Sequence, residues 1–312
     1  MSTVTINEAD EAFEHPALFY RSAQEYTDQM VSFVRAGLAA GEPVAVAVPG
    51  PNLELIKTGL GTDAQGVVFL DMTEAGRNPG RIIPGVLRAF ADSHTQGRVR
   101  IIGEPIWAGR SAVEYPACAQ HEALINAAFE GRAVTILCPY DEARLNAGVL
   151  ADARLTHPTV ISRGRELASD AYDWEAVVAR YNEVLAPAPN AAAFSFGARE
   201  LPAVREFAAH HAMRLGLTGQ RLEDAELAVG ELTANSIVHG GGQGTLQIWA
   251  EAGQVVVEVR DAGRLTDPLA GRRPPERGQK GGRGLMLVHY VADLVRVHTA
   301  GDGTTVRFYL GL

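Results

Sequence analysis

Two rhythms of apolar residues alternate along the first half of the chain. Residues 43–48, 67–71, 99–103 and 133–138 are short, nearly continuous apolar runs. Runs of that length suit strands buried on both faces. Between them lie segments with helical spacing or composition, 22–40, 52–60, 79–95 and 115–130, and a further one at 172–185. Met30, Val31, Val34 and Leu38 mark the first, and Gly41 stops it. Strands separated by helices of this length predict parallel pairing through crossover helices. The expectation is an α/β fold, a three-layer-like domain with a mainly parallel sheet.

The last third is patterned differently. Leu222, Ala225, Val229 and Leu232 form one apolar stripe at a period of 3.6, predicting an amphipathic helix over 222–239. Gly240, Gly241 and Gly242 end it. Residues 201–215 predict an earlier helix. Residues 245–250 and 255–260 are β-rich runs around Glu251-Ala252-Gly253-Gln254, a hairpin signal, and 295–298 and 304–310 flank Gly301-Asp302-Gly303, another. Residues 264–280 are rich in Pro, Gly and Arg and lack an apolar period, and loops of this length are functional lids or disordered. They run into Gly281-Gly282-Arg283-Gly284-Leu285 and a helix over 286–294.

Ala186-Pro187-Ala188-Pro189-Asn190-Ala191-Ala192-Ala193 separates the two patterns and has linker composition. It divides the chain into domains at 1–185 and 194–312, and a length of 312 residues agrees with two. The formal net charge of -9 argues against direct binding to nucleic acid, which needs a basic footprint. The N-terminus has no signal segment, no apolar run approaches a membrane span, and the 2 cysteines cannot build a disulfide framework. The expectation is a cytoplasmic protein. Cys118 and His121, at i,i+3, are half a metal site without a second half.

In a parallel sheet, ligand sites lie beyond the carboxyl ends of the strands. Three segments fall there: Pro49-Gly50-Pro51-Asn52, Glu104-Pro105-Ile106-Trp107 and Pro139-Tyr140-Asp141. The first lacks the lysine and hydroxyl of a phosphate loop. Glu104 and Asp141 are the candidate ligand-binding residues, though Asp141 could equally cap the next helix.

The C-terminal chemistry is more specific. Glu231 and Asn235 lie one turn apart on one helix face. An Asn oxygen is a neutral hard ligand for Mg²⁺, and a Glu one turn away can orient and deprotonate a group attacking a γ-phosphate. Taken alone the pair reads more readily as a solvated polar face with a helix-end Asn. Asp261, at a strand end, can accept a hydrogen bond from an adenine amino group, and Gly263 lets the backbone approach a flat base. Gly282 and Gly284 open a helix whose N-terminus suits phosphate.

Two resemblances follow. His15-Pro16-Ala17-Leu18-Phe19-Tyr20, Gly103-Glu104-Pro105-Ile106-Trp107, Leu137-Cys138-Pro139-Tyr140-Asp141 and Thr156-His157-Pro158 together resemble the MEDS sensory domain of methanogen and methylotroph regulators. That likeness implies an α/β sensor of an unidentified small molecule or signal. His15 and His157 are expected to bond neighbouring backbone groups. The ordered set E-x-x-x-N, D-x-G, long lid and G-x-G-L resembles the GHKL ATPase superfamily. Val204-Arg205, Glu231-Leu232-Thr233-Ala234-Asn235 and Gly303-Thr304-Thr305-Val306 are similar to its anti-sigma serine kinase branch.

The second likeness implies a GHKL (Bergerat) α/β sandwich with a mixed sheet, and ATP with Mg²⁺ as cofactors. Glu231 would be the general base and Asn235 would hold Mg²⁺ through the ATP phosphates. Asp261 and Gly263 would hold adenine, and Gly282 and Gly284, with Leu285, the phosphate end. The implied partners are a sigma factor and a STAS-type anti-anti-sigma protein, and the likeness also suggests a homodimer. A non-catalytic ATP-binding switch and a sensor histidine kinase-like protein are the alternatives. His210 and His211 fall inside the ATPase domain's first helix, and no separate helical hairpin presents a phosphoacceptor histidine.

Overall fold

The computed structural model describes residues 12–274 and 282–312. The chain forms two compact units, Met1–Tyr181 and Asn182–Leu312.

In the first unit the strands are β1 (Pro16–Tyr20), β2 (Val44–Val48), β3 (Val67–Asp71), β4 (Val99–Gly103), β5 (Val134–Asp141), β6 (Thr159–Ser162) and β7 (Arg165–Ala168). The helices are α1 (Ala23–Ala39), α2 (Gly50–Leu60), α3 (Met72–Ala75), α4 (Arg88–Asp92), α5 (Tyr115–Phe129), α6 (Ala147–Thr156) and α7 (Trp174–Arg180). Among the described residues the sheet order is β3-β2-β4-β5-β1-β6-β7. Every pairing is parallel except the terminal β6–β7 hairpin. Ser22 starts α1 by accepting from the Glu25 amide.

The layers follow from the two-residue period of the strands. Val44, Val46 and Val48 pack with Met30 and Val34 of α1 and Leu53 and Ile56 of α2. Leu18 and Leu137 face the same cluster. Ala17 and Cys138, next to them in the chain and paired with each other across β1 and β5, point to the opposite face. There α5, buried almost throughout, packs with α6 and α7.

Three sequence-based elements need correction. Residues 79–95 are not one helix but a 3₁₀ turn (Pro79–Arg81), a π-helical turn (Ile83–Leu87) and α4. Pro79 and Pro84 lack the N–H that a continuous helix needs. Helix 172–185 is only Trp174–Arg180. Residues 139–141 are not a loop beyond the sheet, because β5 continues through Asp141 paired with β1.

The second unit has β8 (Ala192–Gly197), α8 (Leu201–Arg214), α9 (Gly219–His239), β9 (Gln243–Glu251), β10 (Gln254–Asp261), α10 (Gly284–Val291), β11 (Leu294–Ala300) and β12 (Gly303–Gly311). The sheet order is β11-β12-β10-β9-β8. The α/β sandwich is present. The sheet expected to be mixed is antiparallel in every pairing, since two hairpins supply four of its strands and β8 runs against β9. Val204, Ala208 and Ala212 of α8 and Ala225, Val229 and Leu232 of α9 share a core with Val255, Val257 and Val259. Residues expected as a linker are tied to this unit. Arg307 donates to the Ala186 carbonyl at 2.7 Å, and β8 already begins at Ala192.

Candidate functional site: a nucleotide cavity on the second unit

Helix α9 turns its apolar stripe to the sheet and leaves Glu231 and Asn235 half-buried along its edge. The same helix contributes Ser236, whose hydroxyl donates to Asp261 Oδ2 at 2.7 Å. The Gly263 amide donates to Asp261 Oδ1 at 2.9 Å. Both oxygens are thereby fixed in direction, and each keeps a lone pair for a further donor. The Gly263 carbonyl accepts from Thr304 Oγ1 at 2.8 Å, so β12 holds the same turn from the other side.

Gly284 begins α10 against the polar edge of α9. A Cβ added there would lie 2.6 Å from Glu231 Oε2 and 3.3 Å from Asn235 Nδ2. The start of α10, with its unpaired amide groups, is thus brought beside both residues. Leu285, one residue on, packs into the core and lines the cavity that opens here.

That cavity measures about 680 Å³. Asp261 and Gly263 line one part, Asn235, Gly282 and Gly284 another, with Leu232, Val259 and Val306 among its apolar walls. The volume falls within the usual ligand range of roughly 300–1,000 Å³. Residues 264–274 of the expected lid contribute to the wall, while 275–281 lie outside the described residues. An apolar slot with one oriented carboxylate fits an aminopurine. An Asn side-chain amide beside a helix N-terminus fits Mg²⁺ and phosphate.

Glu231 does not line this cavity. It lines a separate, shallower cleft with Arg205, Glu206, Glu226 and Leu227. Glu231 and Gly284 therefore sit on the wall between the two. Ser236 and Thr304 were not singled out from the sequence. Thr304 lies inside a segment quoted for the family likeness, but nothing in its spacing shows that it orients another residue.

The sensory candidates separate. Glu104 is buried, accepting from Tyr26 Oη at 3.0 Å and from Asn52 Nδ2 at 2.8 Å. Burial, opposed by those two bonds, pushes its carboxyl up to about 8. Asp141 bonds the Ala143 amide at 2.9 Å, a local turn role. Between the ordinary Glu pKa and about 8 the folded chain retains a proton that the unfolded chain has lost. Stability therefore falls as pH rises through that window, by at most ~1.4 kcal/mol per unit. Melting temperatures of Glu104→Gln should fall less steeply than those of the parent over that window. Parallel slopes would mean that Glu104 is ionised throughout.

A split sandwich with a nucleotide-sized cavity between α9, α10 and the D-x-G turn defines a histidine-kinase-like ATPase domain. Residues 194–310 match the family model described as histidine kinase-like ATPase domain. Residues 14–158 match the model described as MEDS, the methanogen/methylotroph, DcmR sensory domain. The chain is thus a MEDS sensory domain followed by a histidine-kinase-like, GHKL-type ATPase domain, which implies binding of ATP. No curated protein matches it. No helix among the described residues is long and apolar enough to cross a membrane.

Proposed function

We propose that the chain is an anti-sigma regulator with ATP-dependent serine/threonine kinase activity towards an anti-anti-sigma protein, controlled by its sensory domain. The observation that carries this reading is the place of Glu231. A carboxylate on the wall between a nucleotide cavity and a separate surface cleft can serve a hydroxyl arriving on another protein. Nucleotide binding alone needs no such base.

In this reading Asp261 and Gly263 fix the base of ATP, and Gly282 and Gly284 present backbone amides to its phosphates. Leu285 packs the start of α10 into the core and so holds those amides in place. Asn235 holds Mg²⁺, which when bound neutralises charge developing on the phosphates. Glu231 takes the proton of the incoming Ser or Thr hydroxyl. Arg205, exposed in the same cleft, faces the partner. The acidic chain suits a partner with a basic surface. The sensory domain, with Glu104 and Asp141 as candidate contacts, sets how much kinase or sigma-binding activity is expressed.

The test mixes the pure chain with labelled ATP, Mg²⁺ and a purified anti-anti-sigma protein. Label on a Ser or Thr of the partner is the expected result. Tight ATP binding without transfer would replace the kinase by a binding switch, and acid-labile label on the chain itself would indicate a histidine kinase. Asn235→Ala should weaken Mg-ATP binding by about 10–100-fold, the loss of one charge-assisted contact of roughly 1.5–3 kcal/mol. Isothermal titration with and without Mg²⁺ measures this, and full retained affinity removes the metal role.

A further inference from the structure

The sensory unit encloses a second constellation, unrelated to the nucleotide cavity. His15, just before β1, Glu122 of α5, Cys138 of β5 and His157 at the end of α6 converge on the helical face opposite α1 and α2. All four are buried, and their ligand-capable atoms lie within 4.8 Å of one another. His15 Nε2 is 3.5 Å from Cys138 Sγ and 3.6 Å from Glu122 Oε2. His157 Nε2 is 3.1 Å from Glu122 Oε2, without the alignment of a hydrogen bond. Neither carboxylate oxygen of Glu122 has a hydrogen-bond partner among the described residues.

The outer nitrogens of both rings are already committed. His157 Nδ1 lies 2.8 Å from the Ala153 carbonyl, which can only accept. His15 Nδ1 lies 3.2 Å from Asn126 Oδ1. That oxygen is identified because Asn126 Nδ2 donates to the carbonyls of Ala123 and Thr156. Both imidazoles therefore carry a proton on Nδ1 and turn Nε2 inward. Two ring nitrogens, a carboxylate and a thiol face one another in a dry interior. A buried carboxylate with no hydrogen-bond partner, set beside two ring nitrogens and a thiol, is costly unless a shared proton or a metal cation lies among them.

We propose that these four residues form a closed, four-coordinate site for a divalent transition metal of borderline softness, with zinc as the best fit. Zinc bonds of about 2.0–2.3 Å to N, O and S give tetrahedral ligand–ligand edges of about 3.3–3.7 Å. The observed separations of 3.1, 3.5 and 3.6 Å lie at that scale. A thiolate and a carboxylate neutralise a dication, so the occupied site carries no net charge into the core. The Cys138 thiol proton passes to solvent as the ion binds. Imidazoles anchored through Nδ1 to a carbonyl or amide oxygen are the usual outer support of such ligands. The site ties β1, β5, α5 and the α6–β6 junction together. Neither Cys118 nor His121, the pair suggested by sequence spacing, belongs to it.

Metal analysis of the full-length chain, purified without chelator and without nucleotide, tests this independently of any kinase activity. One equivalent of zinc per chain is expected. Chelated protein should take up one Co²⁺ and show the near-ultraviolet thiolate-to-cobalt band with tetrahedral visible absorption. Cys138→Ser should lose the thiolate band, and Cys118→Ser should keep it. A parent chain that is folded by circular dichroism yet takes up neither zinc nor cobalt overturns the site. The cluster would then be a proton-sharing His–Glu–His network. Retention of the thiolate band in Cys138→Ser overturns it equally.

Discussion

Glu231→Ala is expected to lower phosphoryl transfer to a protein acceptor by about 10²–10⁴-fold, the usual contribution of a positioned general base. ATP affinity should be unchanged. Glu231 does not line the nucleotide cavity; it stands behind Gly284 on the wall between cavity and cleft, where a Cβ added to Gly284 would lie 2.6 Å from its Oε2. The fold should also be unchanged. Glu231 is half-buried, has no hydrogen-bond partner among the described residues, and occupies a helix position that alanine fills well. Shortening it leaves no charge stranded, so the melting temperature should barely move. Separate readouts of transfer, nucleotide affinity and melting distinguish a lost base from a damaged site. Glu231→Gln, which keeps the shape and the contact with Gly284, should be equally inactive. Parental transfer in either variant would place the base elsewhere.

What the sequence made legible follows the range of the interactions. Strand 99–103 is found at the residues expected, because a continuous apolar run suits a strand covered on both faces; strand 67–71 is found there too, although it is the half-exposed edge of the sheet. Helix α9 was legible through its stripe, and with it the shared edge of Glu231 and Asn235. β5 was read too short because proline argues against a strand interior. Beyond Leu137, however, β4 no longer pairs with β5, so Pro139 meets a partner on the β1 side alone and behaves as at a sheet edge. The β6–β7 hairpin is half-exposed or exposed throughout, so it carries no alternation to read. His15, Glu122, Cys138 and His157 come from four elements, and no local spacing announces their meeting. His157 was expected to bond nearby backbone and does, through Nδ1; His15 bonds the Asn126 side chain instead. Three of the four precede a proline, which holds the preceding residue extended and so fixes its backbone. That regularity was visible, but its purpose appears only when the sheet is closed.

Gly263→Ala should weaken ATP binding by about 10–100-fold, because the D-x-G turn has no room for a methyl group. An added Cβ would lie 2.5 Å from the His239 carbonyl oxygen and 2.9 Å from Gly240 Cα. Both are backbone atoms, so no side chain can swing aside. Gly240 is confined in turn, since its own Cβ would lie 2.3 Å from Asp261 Cγ. The end of α9 and the end of β10 therefore meet glycine to glycine, joined by the Ala262 amide donating to the Gly240 carbonyl at 3.1 Å. A methyl group must part them, which costs about 1–3 kcal/mol in a packed site. Parting them pulls Asp261 from Ser236 and from the Gly263 amide, the two donors that aim its carboxylate. At about 1.4 kcal/mol per factor of ten, the strain corresponds to the stated loss if it is relieved chiefly in the nucleotide-free turn. Gly241→Ala is the control. Its Cβ would meet only Ala262 Cβ, at an ordinary 3.7 Å, although its φ of +86° carries backbone strain. It should lower the melting temperature slightly and leave ATP affinity near the parent's. Calorimetric titration of both variants with ATP decides the matter. Equal, undiminished affinity in Gly263→Ala would show that this turn does not read the base.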